Sequence, residues 1–480
     1  MVYVTGTVAP SLVDNYYGYS LWGTGSGAVL SGVNADKNVT YQDAWIDMNG
    51  DVTMNNISIV DCDVVKNGDS VYVGGVLTMT STGTLRITNN RGKVYGYRGV
   101  VLEAPTIVIS GGGVGAQWNY DYKGVKVTAT NSLQMTGNSA AYSGGYPYLY
   151  YMLRGQYVNV KAPTITFNGS NGAMSARDTL VVNAAKNITL SGTGFLTVSG
   201  QNSGEAATID AGGDITITAG GDFVARGTNQ RFDASGVIYS YGGNVALTAK
   251  SITFDRNSSA FAGAAVRAKN DISLTATGGS VVVTNHAVNN DGSHGGAINA
   301  WDNVTIWAKN AVQFVNNYIN GDYTAMYGGG AIYSEGDVTV KAGTDIVFSD
   351  SRLPNGVGGA LYAYNFKMEA QNVTMNNNTI GTSSGAPLNS KASGGAICTQ
   401  WDSDDYGNVT ITVDNAATFK NNSVSANSDV YGGAISANLA FDLTAKTAVF
   451  DSNAADSVSY SDAGGGAWGG SAWNWNDPKN

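Results

Sequence analysis

The sequence predicts an all-β protein that folds as a right-handed parallel β-helix, a β-solenoid of roughly 15 rungs with capped ends. Three observations lead to this prediction. Strand-like segments recur along the chain at intervals of 27 to 36 residues. Two short elements, Gly-Gly-Ala-Ile/Leu and Phe-x-x-Asn, alternate through its second half. The 480 residues also include 64 glycines but only 7 prolines, a composition typical of strands joined by tight turns.

The repeat is clearest in residues 291–317. Short apolar runs lie there at 297–298, 304–306 and 312–314, and Gly, Asn, Asp and Lys residues occupy the corners between them. In the middle run apolar and polar residues alternate, as they do in a half-buried strand. The corners are too close together for helices. A chain that turns three times and then repeats is therefore predicted to be a coil of strands.

The same elements mark successive rungs. The middle strand recurs with its apolar lead residue at Ile188, Ile215, Val245, Ile272, Val304, Val338, Val373, Val409 and Leu443. The Gly-Gly-Ala-Ile/Leu element begins at Gly295, Gly329, Gly358, Gly394 and Gly432. The Phe-x-x-Asn element begins at Phe254, Phe314, Phe419 and Phe450, with looser versions at Phe348 and Met375.

Each element has a physical reason. Paired glycines allow a positive φ at a corner, where a Cβ would collide. Phenylalanine fills the interior of the coil, and the asparagine three residues later is expected at the next corner. Asparagine tolerates the left-handed conformation, and amides stacked on successive rungs can hydrogen-bond along the axis. One rung cannot bury its own inner face, whereas stacked rungs bury each other's.

The predicted coil has three parts. Residues 1–45, which are irregular and rich in aromatic residues and glycine, are predicted to form an N-terminal cap. Residues 46–463 are predicted to form the parallel β-helix, with the strict repeats in 291–453. Residues 464–480 form either a C-terminal cap or a truncated linker. At about 4.8 Å per rung the coil would be about 70 Å long. Right-handedness is predicted because parallel crossovers are right-handed in nearly all sheets.

Charge and cysteine content narrow the class of protein. Lys and Arg number 26 against 36 Asp and Glu, a net charge of −10, which argues against nucleic acid and anionic membranes as partners. No run of 18 apolar residues and no leader-like N-terminus is present, so neither a transmembrane helix nor a signal peptide is predicted. Cys62 and Cys398 would lie about 48 Å apart in the coil, so we expect two unpaired thiols.

The alternation of GGA[IL] with FxxN resembles the repeats of the polymorphic outer membrane proteins, a family first defined in chlamydial surface proteins. These repeats build autotransporter passenger domains. The resemblance covers 291–453 well and 188–290 loosely. The residues that match, interpreted as a structural repeat motif, are Gly295, Gly296, Ala297, Ile298, Phe314, Asn317, Gly329, Gly330, Ala331, Ile332, Gly394, Gly395, Ala396, Ile397, Phe419, Asn422, Gly432, Gly433, Ala434, Ile435, Phe450 and Asn453.

The resemblance implies a right-handed β-helical passenger that is secreted by the type V route. Such a protein is extracellular, is displayed on the bacterial outer membrane and commonly acts in adhesion. Its partner would be a protein or glycan on a host or neighbouring cell. The family also has a C-terminal β-barrel translocator, which this chain lacks and which is expected in a full-length protein. No cofactor is implied.

Aspartates in one insert are candidates for a metal site. Asp402, Asp404 and Gly407 have part of the spacing of a calcium loop, and Asp405 lies beside them. Val413, however, stands where the bidentate glutamate should be, so a solvated loop is the interpretation of this segment.

Catalytic chemistry has little support in the sequence. The two histidines, His286 and His294, show no zinc-binding spacing, and His294 adjoins a Gly-Gly corner. Paired carboxylates, nucleophile motifs and phosphate loops are not apparent. The sequence therefore predicts a protein that is not an enzyme and has no catalytic residues, metal or cofactor.

Tyrosine is the residue type that most suggests binding. The chain contains 27 tyrosines, concentrated in its first 160 residues. Tyr146, Tyr148 and Tyr150 alternate, so on a strand they would share one face and could contact a protein or a glycan. Cross-strand aromatic pairing in a surface insert is the alternative.

The sequence thus favours a non-enzymatic cell-surface passenger that acts as an adhesin or display stalk. Two alternatives stay open. One is a β-helix that binds or degrades a polysaccharide, which would need two carboxylates about 5–10 Å apart in a groove. The other is a purely structural, self-assembling rod.

Overall fold

A computed structural model describes most of the chain. The residues it describes are 2–5, 11–15, 18–24, 28–32, 39–41, 44–60, 69–90, 92–117, 124–137, 151–169, 172–191, 208–227, 236–259, 262–289, 294–320, 327–354, 356–381, 392–399, 407–426, 430–457, 463–464 and 468–470. The chain divides into two compact units. Unit 1 comprises Met1–Val224 and Ser240–Gly243, and unit 2 comprises Ala225–Tyr239 and Asn244–Asn480.

The predicted all-β, parallel β-helical fold is confirmed. In the part of the chain that the structure describes, every regular element is a strand, and apart from two antiparallel pairs near the N-terminus the described strand pairs are parallel and stack rung on rung. No described helix is long and apolar enough to cross a bilayer. The right-handed sense of the coil stays a prediction.

The strands of unit 1 form two sheets, which we name face A and face B. Face A contains β1 (Val2–Thr5), β4 (Ala28–Gly32), β5 (Val39–Tyr41), β7 (Val52–Asn55), β8 (Ile57–Val60), β10 (Val76–Thr80), β11 (Thr84–Asn90), β13 (Gly99–Gly111), β15 (Val125–Gly137), β17 (Val158–Ala162), β18 (Thr164–Gly169), β20 (Leu180–Ala184), β21 (Ile188–Ser191) and β23 (Ile215–Ala219). Face B contains β2 (Ser11–Asn15), β3 (Gly18–Thr24), β6 (Ala44–Asn49), β9 (Asp69–Val73), β12 (Lys93–Gly96), β14 (Val114–Ala116), β16 (Tyr151–Gly155), β19 (Gly172–Ala176) and β22 (Ile209–Ala211).

Two strands, β24 (Phe223–Arg226) and β25 (Ile238–Ser240), contain residues of both units. Unit 2 has its own face A, built from β26 (Val245–Ala249), β27 (Ile252–Asp255), β30 (Ile272–Ala276), β31 (Val281–Thr284), β34 (Val304–Ala308), β35 (Val312–Val315), β39 (Val338–Ala342), β40 (Asp345–Ser349), β44 (Phe366–Asn376), β48 (Asn408–Lys420), β52 (Ala440–Thr444) and β53 (Thr447–Asp451). Its face B contains β29 (Val266–Ala268), β33 (Ile298–Ala300), β38 (Ile332–Ser334), β43 (Leu361–Ala363), β47 (Ile397–Thr399), β51 (Ile435–Ala437) and β56 (Trp468–Gly470).

Short strands at the remaining corners of unit 2 form two further faces. Face C contains β28 (Ser258–Ser259), β32 (Ala287–Val288), β36 (Tyr318–Ile319), β41 (Arg352–Leu353), β45 (Thr379–Ile380), β49 (Ser423–Ala426) and β54 (Ala454–Ser457). Face D contains β37 (Tyr327–Gly328), β42 (Gly356–Val357), β46 (Ala392–Ser393), β50 (Val430–Tyr431) and β55 (Ala463–Gly464).

Parallel stacking begins inside the stretch that the sequence assigns to an irregular cap, 1–45. There β1 pairs antiparallel with β4, and β2 pairs antiparallel with β3. However, β3 already runs parallel to β6, and β4 runs parallel to β7. Strand pairing in this stretch is therefore more regular than its aromatic and glycine-rich composition indicates.

The interior consists of in-register apolar rows, as the sequence predicts, but three lead residues assigned to the middle strand are wrong. Leu180 and not Ile188 pairs with Ile215, Phe366 and not Val373 pairs with Val338 and Val409, and Phe441 and not Leu443 pairs with Val409. On face B of unit 2, Ile298 pairs with Ile332, and the row continues without a shift through Leu361, Ile397 and Ile435. All five side chains are fully buried. Burying such a side chain contributes about 1.5–3 kcal/mol, so each row makes a large contribution to the stability of the stacked rungs.

A second inner row lies on face A of unit 2 and consists mostly of the phenylalanines of the Phe-x-x-Asn element. The row consists of Phe254, Val283, Phe314, Phe348, Met375, Phe419 and Phe450. The rings of Phe314 and Phe348 stack with centroids 4.9 Å apart, and those of Phe419 and Phe450 are 4.8 Å apart. One rung spacing thus brings consecutive rings into contact.

The two glycines of the GGA[IL] element have different roles. The first takes a positive φ, for example +64° at Gly295 and +67° at Gly394. The second lies directly beneath a carbonyl of the next rung: a Cβ on Gly296 would be 2.0 Å from the oxygen of Gly330. The alanine that follows, such as Ala297, is completely buried. The first glycine therefore turns the chain, the second allows the rungs to stack closely, and the alanine packs in the interior.

The asparagine of Phe-x-x-Asn corrects one expectation. It does not take the left-handed conformation itself; the residue before it does, with φ of 54° at Asn316, 52° at Asn421 and 55° at Ser452. The turn made by that residue directs the following side chain inward, where it is buried, as at Asn317 and Asn422. The resulting inner row, named the asparagine ladder, is Asn257, His286, Asn317, Ser351, Asn378, Asn422 and Asn453.

Hydrogen bonds join the asparagine ladder along the stacking direction, as the sequence predicts for stacked amides. Asn378 Nδ2 donates to the carbonyl of Phe348 on the preceding rung (3.0 Å) and to Oδ1 of Asn422 on the next rung (3.0 Å). The backbone N–H of Asn378 also donates to Asn422 Oδ1 (3.2 Å). Each such bond contributes about 1 kcal/mol net, and more is lost when a buried partner is orphaned.

His286 replaces asparagine in the ladder, and this gives unit 2 a predicted pH dependence. Burial lowers the pKa of His286 from its ordinary value of 6.5 to about 4. The unfolded chain therefore takes up a proton near pH 6.5 and the folded chain only near pH 4, so stability falls as the pH falls between these values. We expect wild type to lose about 2–3 kcal/mol more than H286N between pH 7 and pH 4, measured by urea unfolding.

His294, whose pKa burial also lowers to about 4, stays in both proteins and cancels in this comparison. Equal losses of stability in wild type and H286N would show that His286 takes up its proton in the folded chain. At the corner His294 Nδ1 accepts a hydrogen bond from the Gly328 N–H (3.1 Å), and its ring stacks on Tyr333 (4.4 Å).

Candidate functional site

The candidate site is the outward side of face B in unit 1. Its central row runs in register through Tyr72, Tyr95, Gly115, Arg154, Ser175 and Asp210. The row arises because the alternate residues point inward and are buried, for example Val94, Leu153 and Ile209. We name this row, together with Asp69, Lys93, Tyr151 and Tyr241, the Arg154 face.

Two glycines bring side chains of different rungs together on this face. A Cβ on Gly115 would lie 3.3 Å from the ring of Tyr95 and 3.5 Å from Cδ of Lys93. A Cβ on Gly172 would lie 2.2 Å from the ring of Tyr151. Because neither glycine has a side chain, the side chains of Tyr95, Lys93 and Tyr151 lie across the neighbouring strand instead of pointing away from it.

Asp210 is the buried acceptor of the Arg154 face. It is 1% exposed, and its Oδ2 accepts hydrogen bonds from the hydroxyls of Tyr151 (2.7 Å) and Tyr241 (2.6 Å). Its Oδ1 has no hydrogen-bond partner within the described part of the chain. Burial raises the pKa of Asp210 to about 6, opposed by the nearby hydroxyls of Ser175, Tyr241 and Tyr151 and by the charge of Arg154.

A second charged group lies around Lys93. Burial raises the pKa of Asp69 and lowers that of Lys93, while their mutual attraction opposes both shifts. The positive charge of Arg154 lowers the pKa of Lys93 further. The two cations are therefore near enough to repel each other. Lys93 and Arg154 thus share one half-buried surface, although the net charge of the protein is −10.

Tyrosine rings complete the surface. The rings of Tyr72 and Tyr95 stack at 5.8 Å with an angle of 17° between their planes, and the Tyr95 hydroxyl donates to Oε1 of Gln117. Tyr241 is 37% exposed. The Arg154 face thus combines aromatic surface, hydroxyl groups, two cations and two buried carboxyl groups, which is a composition suited to binding a polar ligand.

The equivalent row in unit 2 has a different composition. It contains Arg267, Asn299, Tyr333, Tyr362, Cys398 and Ser436. Tyr333 and Tyr362 stack at 5.2 Å. The buried thiol of Cys398 donates to the Thr399 carbonyl (3.2 Å) and is not in a disulfide. Within the described residues, no three His, Cys, Asp or Glu side chains converge as metal ligands.

Several residues singled out in the sequence lie outside the described residues. These are Cys62, Tyr146, Tyr148, Tyr150, Asp402, Asp404 and Asp405. The repeat-motif residues lie at corners and inner rows rather than on the Arg154 face. Sequence reasoning did not find that face, although aligning the residue after each buried strand residue of face B would have brought Tyr72, Tyr95 and Arg154 into one row.

The fold and the Arg154 face define a parallel β-helical protein whose unit 1 carries an aromatic, charged outer face. Comparisons of the chain with protein-family models, with curated proteins and with solved structures found no match. The resemblance to polymorphic outer membrane protein repeats rests on the motif residues alone.

Proposed function

We propose that this chain is a non-catalytic adhesin, carried on the bacterial cell surface as a β-helical passenger, and that it binds a cell-surface glycan through the Arg154 face. The observation that carries the proposal is the convergence of Tyr95, Tyr151, Tyr241, Lys93 and Arg154 on one outer surface of unit 1. A display stalk needs a stable coil, whereas it has no need of a half-buried cationic pair on its outside.

The β-helix presents these side chains in a fixed arrangement. Each strand of the face is bonded in register to its neighbours, and the side chains between them are held by stacking and hydrogen bonds. A preorganised surface loses little conformational entropy when it binds. Tyrosine rings also offer apolar area with a polar end, as glycan recognition requires.

The burial of the repeat-motif residues favours a binding surface that does not include them. Ala297 and Ile298 are fully buried, and the second glycine of the element lies against the backbone of the next rung. These residues have no surface to offer a partner. Packing explains their identity without a role in adhesion.

Degradation of a polysaccharide is the second candidate, and one observation favours it: Asp69 and Asp210 both have raised pKa values, as general acids often do. Their separation argues against it. Asp69 lies on β9 and Asp210 on β22, five strands further along face B, so they are about 24 Å apart. Glycoside hydrolysis needs two carboxyl groups about 5–10 Å apart.

The proposal can be tested with beads coated with the purified chain and applied to cultured epithelial cells and to bacterial cells. We expect the wild-type chain to attach the beads and R154Q to reduce attachment about tenfold or more, since a charge-assisted hydrogen bond contributes about 1.5–3 kcal/mol. Enzymatic removal of surface glycans from the cells should have the same effect.

The matched control is R86Q. Arg86 is an exposed arginine of the same unit, but it lies on β11 of face A, so its loss should leave attachment unchanged. Circular dichroism should show the same β-sheet signal in all three proteins. Equal attachment by wild type and R154Q, or no attachment at all, would contradict the proposal.

A further inference from the structure

We infer that the ligand of the Arg154 face is an acidic carbohydrate, one whose sugar carries a carboxylate, and that it binds more tightly at mildly acidic than at alkaline pH. The inference rests on the proposed function and goes beyond it, because it names the chemical class of the glycan and the condition that strengthens binding.

The cationic pair selects for a carboxylate. Lys93 and Arg154 are both half-buried on the outer surface, and Arg154 lies close enough for its charge to lower the pKa of Lys93. Arginine presents a planar fork of donors that matches a carboxylate, and lysine adds a point charge. A neutral sugar would gain little from two cations, whereas a uronic or sialic acid residue would compensate both.

The tyrosines favour a sugar over a small inorganic anion. Tyr95 lies across Gly115 beside Lys93, and its ring continues into the stack with Tyr72. Tyr241 is exposed at the other end of the face, beyond Arg154. A ligand that meets both cations therefore also meets aromatic surface and hydroxyl groups, which suit the apolar faces and hydroxyls of a sugar ring.

The buried carboxyl groups oppose binding of an anion when they are ionised. Asp69 lies beside Lys93, and Asp210 lies behind Tyr151 and Tyr241 within the field of Arg154. Ionised, the two carboxylates cancel the two cations, and the face is close to neutral. Protonated, they no longer oppose Lys93 and Arg154, so the net charge of the face becomes more positive.

The direction of the pH effect follows from the groups around each carboxyl. In the described part of the chain, the titratable or charged groups acting on Asp210 are Tyr151, Tyr241 and Arg154, and burial still raises its pKa to about 6. Lys93 acts on Asp69, whose pKa burial also raises. Both carboxyls therefore become neutral at a pH where a sugar carboxylate stays ionised.

Calorimetry with two pairs of probes tests the inference. The pairs are trigalacturonate with its fully methyl-esterified form, and 3′-sialyllactose with lactose, at pH 5 and pH 8. We expect an acidic sugar to bind at least tenfold more tightly than its neutral counterpart and about tenfold more tightly at pH 5 than at pH 8. The two pairs distinguish uronic from sialic acids as the source of the carboxylate.

Three variants, one of them the control R86Q, assign the effects to residues. R154Q should lose the preference for the acidic sugar, and R86Q should keep it. D210N should keep the preference but show a smaller change of affinity with pH, since its amide cannot ionise. Retention of the full pH dependence by D210N would overturn the role given to Asp210.

The outcomes separate this inference from the proposed function. Equal affinity for acidic and neutral sugars, or affinity for neither, would overturn the inference. If R154Q still reduces bead attachment to cells in that case, the proposed adhesive function stands with a different ligand. If attachment is also insensitive to R154Q, the function assigned to the face fails as well.

Discussion

Replacing Gly395 by alanine is expected to destabilise the protein by about 3–5 kcal/mol. A Cβ at this position would lie 2.1 Å from the carbonyl oxygen of Gly433 and 2.8 Å from the backbone nitrogen of Ser423. Both obstacles are backbone atoms of stacked rungs, so the strain cannot be relieved by rotating a side chain. Urea unfolding followed by circular dichroism measures the effect.

Gly83→Ala is the matched control for this substitution. Gly83 also lies at a corner of the coil, but no atom comes within 4 Å of a Cβ built there. Its replacement should change stability by no more than about 0.5 kcal/mol. A Gly395→Ala protein as stable as Gly83→Ala would show that the rungs are spaced more loosely than the structure indicates.

Asn422→Ala is expected to cost about 3–5 kcal/mol. Asn422 Nδ2 donates to the Met375 carbonyl (3.0 Å) and to Asn453 Oδ1 (2.9 Å), and its Oδ1 accepts from the N–H of Asn378 (3.2 Å). Alanine removes all of these bonds and leaves the backbone groups of Met375 and Asn378 buried without their side-chain partner. The free energy of unfolding in urea is again the measurement.

Two comparisons make this prediction specific to the asparagine ladder. Asn415→Ala, at an exposed position of β48, the strand that ends two residues before Asn422, should change stability by less than about 0.5 kcal/mol. Ser351→Asn should stabilise the protein by about 1–2 kcal/mol, because Ser351 is fully buried and its hydroxyl lacks a hydrogen-bond partner within the described residues. Equal losses for Asn415→Ala and Asn422→Ala would contradict the role of the ladder.

Much of the fold was predictable because the strict repeat shows which residues of successive rungs align. Where GGA[IL] and FxxN recur, matching letters fix which residues pair, so the row from Ile298 to Ile435 could be anticipated in register. Spacing alone does not say which of two adjacent residues adopts the left-handed conformation. The motif therefore predicts the turn at Asn317, whereas Asn316 is the residue with a positive φ.

The Arg154 face was not predictable in the same way. Its residues come from strands separated by inserts of unequal length, in the part of the chain where the repeat signature is absent. Tyr95 and Arg154 are 59 positions apart in the sequence, and only the pairing of β12 and β16 with β14 brings them together. The alternating tyrosines at 146–150 predict a binding surface in the neighbouring segment. Tyr151, the next residue, is the one that donates a hydrogen bond to Asp210.

The asparagine ladder has a mechanical consequence for unit 2. Hydrogen bonds between its rungs point along the stacking direction, so tension applied in that direction passes through every rung in series. A series of links yields at its weakest member. In the layer of Ser351 the ladder hydroxyl has no hydrogen-bond partner within the described residues, whereas in the layer of Asn422 the ladder amide donates two hydrogen bonds. A tethered molecule under flow would therefore be expected to open first at that layer, while the better-bonded layers stay closed.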